Sequence, residues 1–282
     1  MNVGIVGQGF VGSAIREGLK GFHAIHTYDL LPELRSCETL REVVEKSEII
    51  FACVPTPMRK DGRCDTRLIS KVVNDINRCA LELSTGKKIV VVKSTVPPGT
   101  TDNLDKECPS IDVMFSPEFL TEANSFNDFK NQTRIILGGP RPATSIVKTM
   151  FRKAFPQVPI IKTGSRTAET VKYFTNCFLS TKVSFANEMK QICDALGIDY
   201  DKVVEYTLCD NRLGKTHWSV PGPDGHLGFG GHCFPKDLQA MISIARDLDV
   251  DPAVLESTWK KNNEVREDKD WEEMKGRAIS DD

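Results

Sequence analysis

Residues 3–19, VGIVGQGFVGSAIREGL, limit what this chain can fold into more than any other stretch. A short apolar run leads directly into Gly7-Gln8-Gly9-Phe10-Val11-Gly12, and apolar residues then recur at helical spacing. That order predicts a strand, a tight turn and a helix. Gly7 permits the sharp turn, Gly9 lets a pyrophosphate approach the backbone, and Gly12 lets the helix pack closely on the strand. The helix amino terminus, with its unpaired N–H groups, then faces the phosphates. Glycine turns also serve geometry alone, so the context carries the argument. A second apolar stretch, HAIHTYDL, ends in Asp29, 17 residues after Gly12. A carboxylate there accepts hydrogen bonds from ribose hydroxyls and repels a 2′-phosphate, which favours NAD over NADP.

Further apolar runs follow at intervals that suit βαβ units: EIIFACVP, KKIVVVKST, IDVMFSPEF and RIILGG, with DTRLISKVVNDINRCALEL reading as a helix between the first two. They predict an open, mostly parallel sheet, a doubly wound Rossmann-type fold of the α/β class over residues 1–164. Ligands of such sheets sit beyond the carboxyl ends of the strands. There the chain places Val54-Pro55-Thr56-Pro57, the run from Ser94 and Thr95 to Thr100, and Ser116-Pro117-Glu118-Phe119-Leu120. Taken singly, each also reads as a proline-stiffened loop.

A chain of 282 residues is long enough for two domains. Its net charge of −2 supplies no basic field for nucleic acid. No apolar run approaches the roughly 20 residues that span a bilayer, and the amino terminus lacks a secretory pattern. A cytoplasmic protein without a membrane or nucleic-acid partner is the expectation. The nine cysteines show neither a C-x-x-C pair nor zinc-site spacing, so no metal is expected and most should be inert, buried thiols.

From residue 165 the pattern becomes helical, predicting an all-α domain over 165–282. TAETVKYFTNCFLSTKVSFANEMKQICDALG carries Glu169, Lys172 and Asn176 at i, i+3, i+7, hence on one face. The stripe is either a solvated surface or, because Val171, Phe174, Phe178, Leu179 and Phe185 cover much of the circumference, the wall of an enclosed cleft. A helix from about Asp199 to Leu208 is followed by the long loop DNRLGKTHWSVPGPDGHLGFGG. Loops of that length in compact domains are usually functional or disordered. Helices are expected over Pro235 to Asp247 and from Pro252 onward. The charged EVREDKDWEEMKGRAISDD reads as a solvated helix or frayed end.

The loop ends in GFGGHCFPKD. Pro235 suits the first turn of a helix, so Cys233 lies just ahead of a helix amino terminus. That position, with Lys236 nearby, raises the thiolate fraction of a cysteine, and His232 is a further neighbour. Gly228, Gly230 and Gly231 let backbone approach a substrate without intervening side chains. The stretch reads as a nucleophile on a turn; the alternative is a glycine-rich helix entry with an incidental thiol.

Taken together, GQGFVG, Asp29, VPTP, STVPPGT, SPEFLTEANSFND, ETVKYFTNCFLSTKVSFANE, DNRLG and GFGGHCFPKD resemble, in order, the motifs of the UDP-glucose dehydrogenase family of nucleotide-sugar 6-dehydrogenases. The resemblance runs from the first strand to about residue 263. It implies a helical central domain of the 6-phosphogluconate dehydrogenase type, NAD as cofactor, and oxidation of a sugar C6 alcohol through an aldehyde to a carboxylate. By this resemblance Cys233 is the nucleophile of the second oxidation, Lys172 and Asn176 stabilise negative charge on the substrate oxygen, and Asp237, with Lys172 or an ordered water, moves the proton of the alcohol. Glu118, Glu122 and Thr95 position the sugar or the hydrolytic water, and Arg212 reaches substrate, in relatives across a subunit boundary. Gly7 to Gly12, Asp29, Val54, Pro55, Thr56, Ser94, Thr95, Glu122 and Lys236 surround the cofactor; Phe119, Leu120, Phe229 and Gly230 line the substrate.

Relatives add a third, second-Rossmann domain that supplies much of the nucleotide site, so the chain is expected to be a short form without it. Recognition of the diphosphate and base is then expected from Lys215, His217 and Trp218. His232 in GGHC resembles the branch acting on UDP-N-acetylhexosamines, whereas FPKD resembles the glucose branch. UDP-glucose is the favoured substrate, with a UDP-N-acetylhexosamine, GDP-mannose, or a noncatalytic NAD-binding role as alternatives. Relatives pair through the long central helix, which implies a homodimer.

Overall fold

A computed structural model describes residues 1–84 and 86–281. The chain divides into two compact units, Met1–Thr56 with Thr66–Lys172, and Pro57–Asp65 with Tyr173–Asp282. The units part within a helix, eight residues beyond the change of periodicity at 164/165, and the second takes back a short segment of the first half.

The first unit alternates strand and helix: β1 (Asn2–Val6), α1 (Phe10–Leu19), β2 (Ala24–Tyr28), α2 (Leu40–Lys46), β3 (Ile49–Ala52), α3 (Arg67–Leu83), β4 (Lys88–Val92), α4 (Thr100–Glu107), β5 (Ile111–Phe115), α5 (Ser125–Lys130), β6 (Ile135–Gly138), α6 (Arg141–Ala154) and β7 (Ile160–Thr163). Among the described residues the strands form one seven-stranded sheet in the order β2-β1-β3-β4-β5-β6-β7. All neighbours are parallel except β5 and β6, which meet antiparallel at Phe115 and Gly138.

The apolar runs are continuous because both faces of the sheet are covered. Side chains alternate between the faces: Ile50, Ala52, Val90, Val92 and Val113 join one core, and Ile49, Phe51, Ile89, Val91 and Met114 join the other. Each fully buried Val or Ile contributes on the order of 1.5–3 kcal/mol. The strand order reverses between β1 and β3, and this switch point opens a crevice at the carboxyl ends of those strands.

Helix α7 (Ser165–Leu196) runs from the first unit into the second, where α8 (Tyr200–Thr207), α9 (Phe234–Asp247) and α10 (Ala253–Val265) follow. At 32 residues α7 is about 48 Å long. Its buried face is partly polar: Glu169, Lys172, Asn176, Ser180, Ser184 and Asn187 are buried beside Tyr173 and Cys177, while Phe174, Phe178 and Phe185 are 72%, 61% and 51% exposed. The polar stripe is therefore enclosed, and its members are held by specific partners. Ser184 donates to the Thr258 carbonyl at 2.9 Å, and Asn187 accepts from Gly228 N–H at 3.1 Å.

The charged carboxyl-terminal segment corrects the expectation of a solvated helix or frayed end. Trp271 and Ala278 are buried, and the Trp271 ring lies 5.7 Å from Trp259. The segment also pairs with Met58, whose N–H donates to Ala278 O at 2.7 Å and whose carbonyl accepts from Ser280 N–H at 2.8 Å. Its charge count hid one indole large enough to anchor it. Among the described residues no helix is long and apolar enough to cross a membrane.

Candidate active site

In the first unit, the turn after β1 has the geometry the glycines require. Gly7 has φ +89°, and a Cβ on Gly12 would lie 1.9 Å from the Gly7 carbonyl oxygen, so only glycine lets α1 seat here. Helix α1 begins at Gly9 without a side-chain cap or an acidic residue in its first turn, and nothing would crowd a Cβ on Gly9. Its amino-terminal N–H groups suit an anion. Asp29, just past β2, accepts from Gln8 N–H at 2.6 Å and from Leu31 N–H at 3.0 Å. The acid expected to meet the ribose is thus held against the phosphate turn. These residues fit a dinucleotide: an open helix terminus for the pyrophosphate, and a carboxylate beside it. Phe10 and Val11 are the first residues of α1.

The loops beyond β3 and β4 are tied together. Thr56 Oγ1 donates to Thr95 O at 2.7 Å, and Ser94 Oγ donates to Val54 O at 2.5 Å. Thr56 and Thr95 are buried, while Pro55 is exposed. The loop after β5 carries an acid–base cluster. Lys172 Nζ donates to Glu118 Oε1 and to Glu118 O, both at 2.8 Å, and the pair is buried. Burial alone would raise the Glu118 carboxyl, but the Lys172 ammonium, the Leu120 N–H and Lys93 more than offset it, and its pKa lies below the usual range.

Lys93 is a member of this cluster that the motifs of the sequence did not single out. Its ammonium donates to Pro117 O at 3.0 Å and Ser116 Oγ at 3.3 Å, and burial lowers its pKa to about 8. The available signal was a cation directly after the apolar run IVVV that ends β4. A cavity of about 340 Å³ is lined by Lys93, Glu118, Phe119, Leu120 and Arg134 among others, with the Arg134 guanidinium 4.1 Å above the Phe119 ring. Glu122 is exposed on the turn before α5. Glu169, the first of the three polar residues on α7, is structural. Its carboxylate accepts from Gly99 and Thr101 N–H at 2.6 and 2.8 Å, capping α4.

In the second unit, Cys233 is the N-cap of α9, with Pro235 in the first turn. Asp237 is 1% exposed and accepts from Asn176 Nδ2 at 2.6 Å with one oxygen and from Lys236 Nζ at 2.5 Å with the other. Burial would depress the Lys236 ammonium, but Asp237, Cys233 and Cys64 around it hold its pKa above the ordinary lysine range. A thiolate on Cys233 would therefore have a fixed cation beside it. Other thiols are in the opposite situation: burial pushes Cys53 up to about 12 and raises Cys177 as well. His232 and Phe229 are buried, and Gly230 lies beside them.

The loop between α8 and α9 carries the residues expected to meet the nucleotide, and Arg212, His217 and Trp218 have partners of their own. Arg212 is exposed and forks onto Asp210, with Nε 2.9 Å from each carboxylate oxygen. Lys215 is exposed. Trp218 donates through Nε1 to Gly214 O at 2.9 Å, and the Lys182 ammonium covers its ring at 4.7 Å. His217 has φ +68°, with its ring 5.7 Å from that of Phe234.

Residues 31–155 match the NAD binding domain, and residues 166–264 the central domain, of the UDP-glucose/GDP-mannose dehydrogenase family. The glycine turn and Asp29 precede the matched segment, so their assignment rests on the geometry above. The chain is similar to UDP-glucose 6-dehydrogenase TuaD of Bacillus subtilis, 34% identical over 230 residues, 79% of this chain and 48% of that protein. It is similar to UDP-glucose 6-dehydrogenase of Rickettsia typhi, 30% identical over 303 residues, 93% of this chain and 67% of that protein. A UDP-glucose dehydrogenase structure from Pyrobaculum islandicum superposes with TM-score 0.85 at 29% identity, over 93% of this chain and 68% of that one. The chain thus spans from about half to two thirds of the length of these relatives. Its matched segments, together with the order of its sheet, make the first unit an NAD-binding domain and the chain a member of the UDP-glucose/GDP-mannose dehydrogenase family.

Proposed function

We propose that this chain oxidises the C6 alcohol of UDP-glucose to the carboxylate in two steps, with Cys233 as the covalent nucleophile of the second. The observation that carries the reading is the group on α9: a thiol at the helix amino terminus, a buried lysine beside it, and a carboxylate fixed by Asn176. Bound NAD⁺ would accept a hydride from C6 in each oxidation. Asp237, held on both oxygens, takes the alcohol proton with Lys172 or an ordered water as C6 becomes an aldehyde. Lys172 and Asn176, one turn apart on an uninterrupted helix, stabilise negative charge on the substrate oxygen. The Cys233 thiolate then adds to the aldehyde carbon. The thiohemiacetal loses hydride to give a thioester, and water, positioned by Glu118, Glu122 or Thr95, cleaves it and restores the thiol.

The nucleotide is assigned to Lys215, His217 and Trp218 with Arg212, and the sugar to Phe119, Leu120, Phe229 and Gly230. Phe174, Phe178 and Phe185, exposed along α7, support a homodimer formed on that face. Reaction stoichiometry tests the reading. Two NADH per UDP-glucose are expected. One NADH would indicate a simple alcohol dehydrogenase. None with UDP-glucose, UDP-N-acetylhexosamines or GDP-mannose would indicate an NAD-binding module. Turnover of another donor in place of UDP-glucose would reassign the substrate and keep the chemistry.

A further inference from the structure

The backbone that leads into Cys233 is held largely by side chains from α10 and the segment after it. Asn262, fully buried, accepts from Phe229 N–H at 2.7 Å and donates to Phe229 O at 3.0 Å. Asp270 accepts from Gly231 N–H with both carboxylate oxygens, at 3.1 and 2.9 Å. Arg266, whose side chain is 1% exposed, donates to Asp270 at 3.3 Å, to Asp224 at 2.6 Å and to Asp268 O at 2.6 Å. Glycine at 230 is required by this packing: a Cβ there would lie 2.2 Å from Arg266 Nη2 and 2.3 Å from Asp270 Oδ1. Two residues after Gly231 comes the thiol. A guanidinium in a dry site is costly unless fully paired, and this one is paired to carboxylates that grip the glycine loop.

We propose that Asp270, braced by Arg266, is a positioning residue for Cys233: by holding the Gly231 N–H it fixes where the thiol stands at the start of α9. This rests on the reading of Cys233 as nucleophile. A displacement of about 1 Å at a reacting group can cost on the order of 100-fold in rate. The first oxidation does not use sulfur, so a misplaced thiol should impair the second oxidation selectively.

The test compares wild type with Asp270→Ala, Asp270→Asn and Gly230→Ala. Three quantities are read: kcat, NADH formed per UDP-glucose with a hydrazine present to trap aldehyde, and NAD affinity by fluorescence titration. Amide hydrogen exchange over residues 229–236 is measured beside them, well below each variant's melting temperature. For Asp270→Ala the expectation is a fall in kcat of at least about tenfold, a ratio moving from two NADH toward one, and NAD affinity within about twofold. Exchange at Gly231 should be faster. Asp270→Asn keeps an acceptor for Gly231 and should retain most of the activity. Gly230→Ala displaces the same clamp from the other side; because Gly230 also lies in the proposed sugar site, its exchange at Gly231 and its NADH ratio under saturating UDP-glucose, not its kcat, decide the matter should Asp270→Ala not fold. Equal loss of both hydride steps, or unchanged kcat and exchange in a folded variant, overturns the proposal. Should wild type form no NADH, the proposed function fails, and the clamp stands or falls on the exchange at Gly231.

Discussion

Replacing Lys172 with Met keeps roughly the length of the side chain and removes its charge, which isolates the buried pair with Glu118. The two groups are 4% and 8% exposed and 2.8 Å apart, so water cannot take over when the ammonium is lost. Breaking a buried pair by removing one partner costs about 3–5 kcal/mol. Lys93 also lies near Glu118 and keeps the loss toward the lower end, about 3 kcal/mol. At about 2–4 °C per kcal/mol for a unit of this size, the melting temperature should fall by about 6–12 °C at neutral pH. The penalty depends on pH. In wild type the Glu118 carboxyl lies below its unfolded value, so its contribution is present above about pH 4.3 and disappears as pH falls through the folded value. In Lys172→Met burial is no longer offset by its main counter-charge, the carboxyl rises, and the folded state binds the proton more tightly than the unfolded one. The gap between the two proteins should therefore be largest at neutral pH and narrow below about pH 4. Urea titrations at both pH values measure it. Lys172→Met with Glu118→Gln should recover much of the loss, with a coupling of on the order of 0.5–3 kcal/mol. Additive single effects, or a gap independent of pH, would refute the argument.

Gly12→Ala places a methyl against a backbone carbonyl that no rotamer change can move, so it should open the turn, cost about 1–3 kcal/mol and abolish NAD binding in a fluorescence titration. Trp271→Ala removes a fully buried indole and should destabilise by about 3–5 kcal/mol in urea unfolding, whereas a frayed tail would give no change. Phe178→Glu, on the exposed face of α7, should shift the light-scattering mass from that of the proposed dimer to that of a monomer; a monomeric wild type, or an unchanged mass, would remove that face as the contact.

Local signals carried the sheet and both helix starts that matter. The β-branched runs that became β3 and β4 are buried on both faces, and the glycine turn is dictated by contacts within a few residues, so both were visible in the sequence. Pro235 in the first turn of α9 placed Cys233 correctly for the same reason. What stayed hidden depends on partners far along the chain. Lys172 meets Glu118 across 54 residues, Asn176 meets Asp237 across 61, and Gly231 meets Asp270 across 39. Helical periodicity showed that Glu169, Lys172 and Asn176 share a face but left open whether that face is solvated or enclosed, because burial is decided by the elements packed against it. The antiparallel β5–β6 pairing has no local signature either, since an apolar run reads the same in both directions.

Rapid acid quench of enzyme mixed with UDP-glucose and NAD⁺, followed by peptide mass spectrometry, tests most directly whether sulfur carries the half-oxidised sugar. The account predicts an acyl adduct on the peptide containing Cys233, absent in Cys233→Ser, which should still bind NAD. Uronate accumulating with no adduct on that peptide at any quench time, or full turnover by Cys233→Ser, would contradict it.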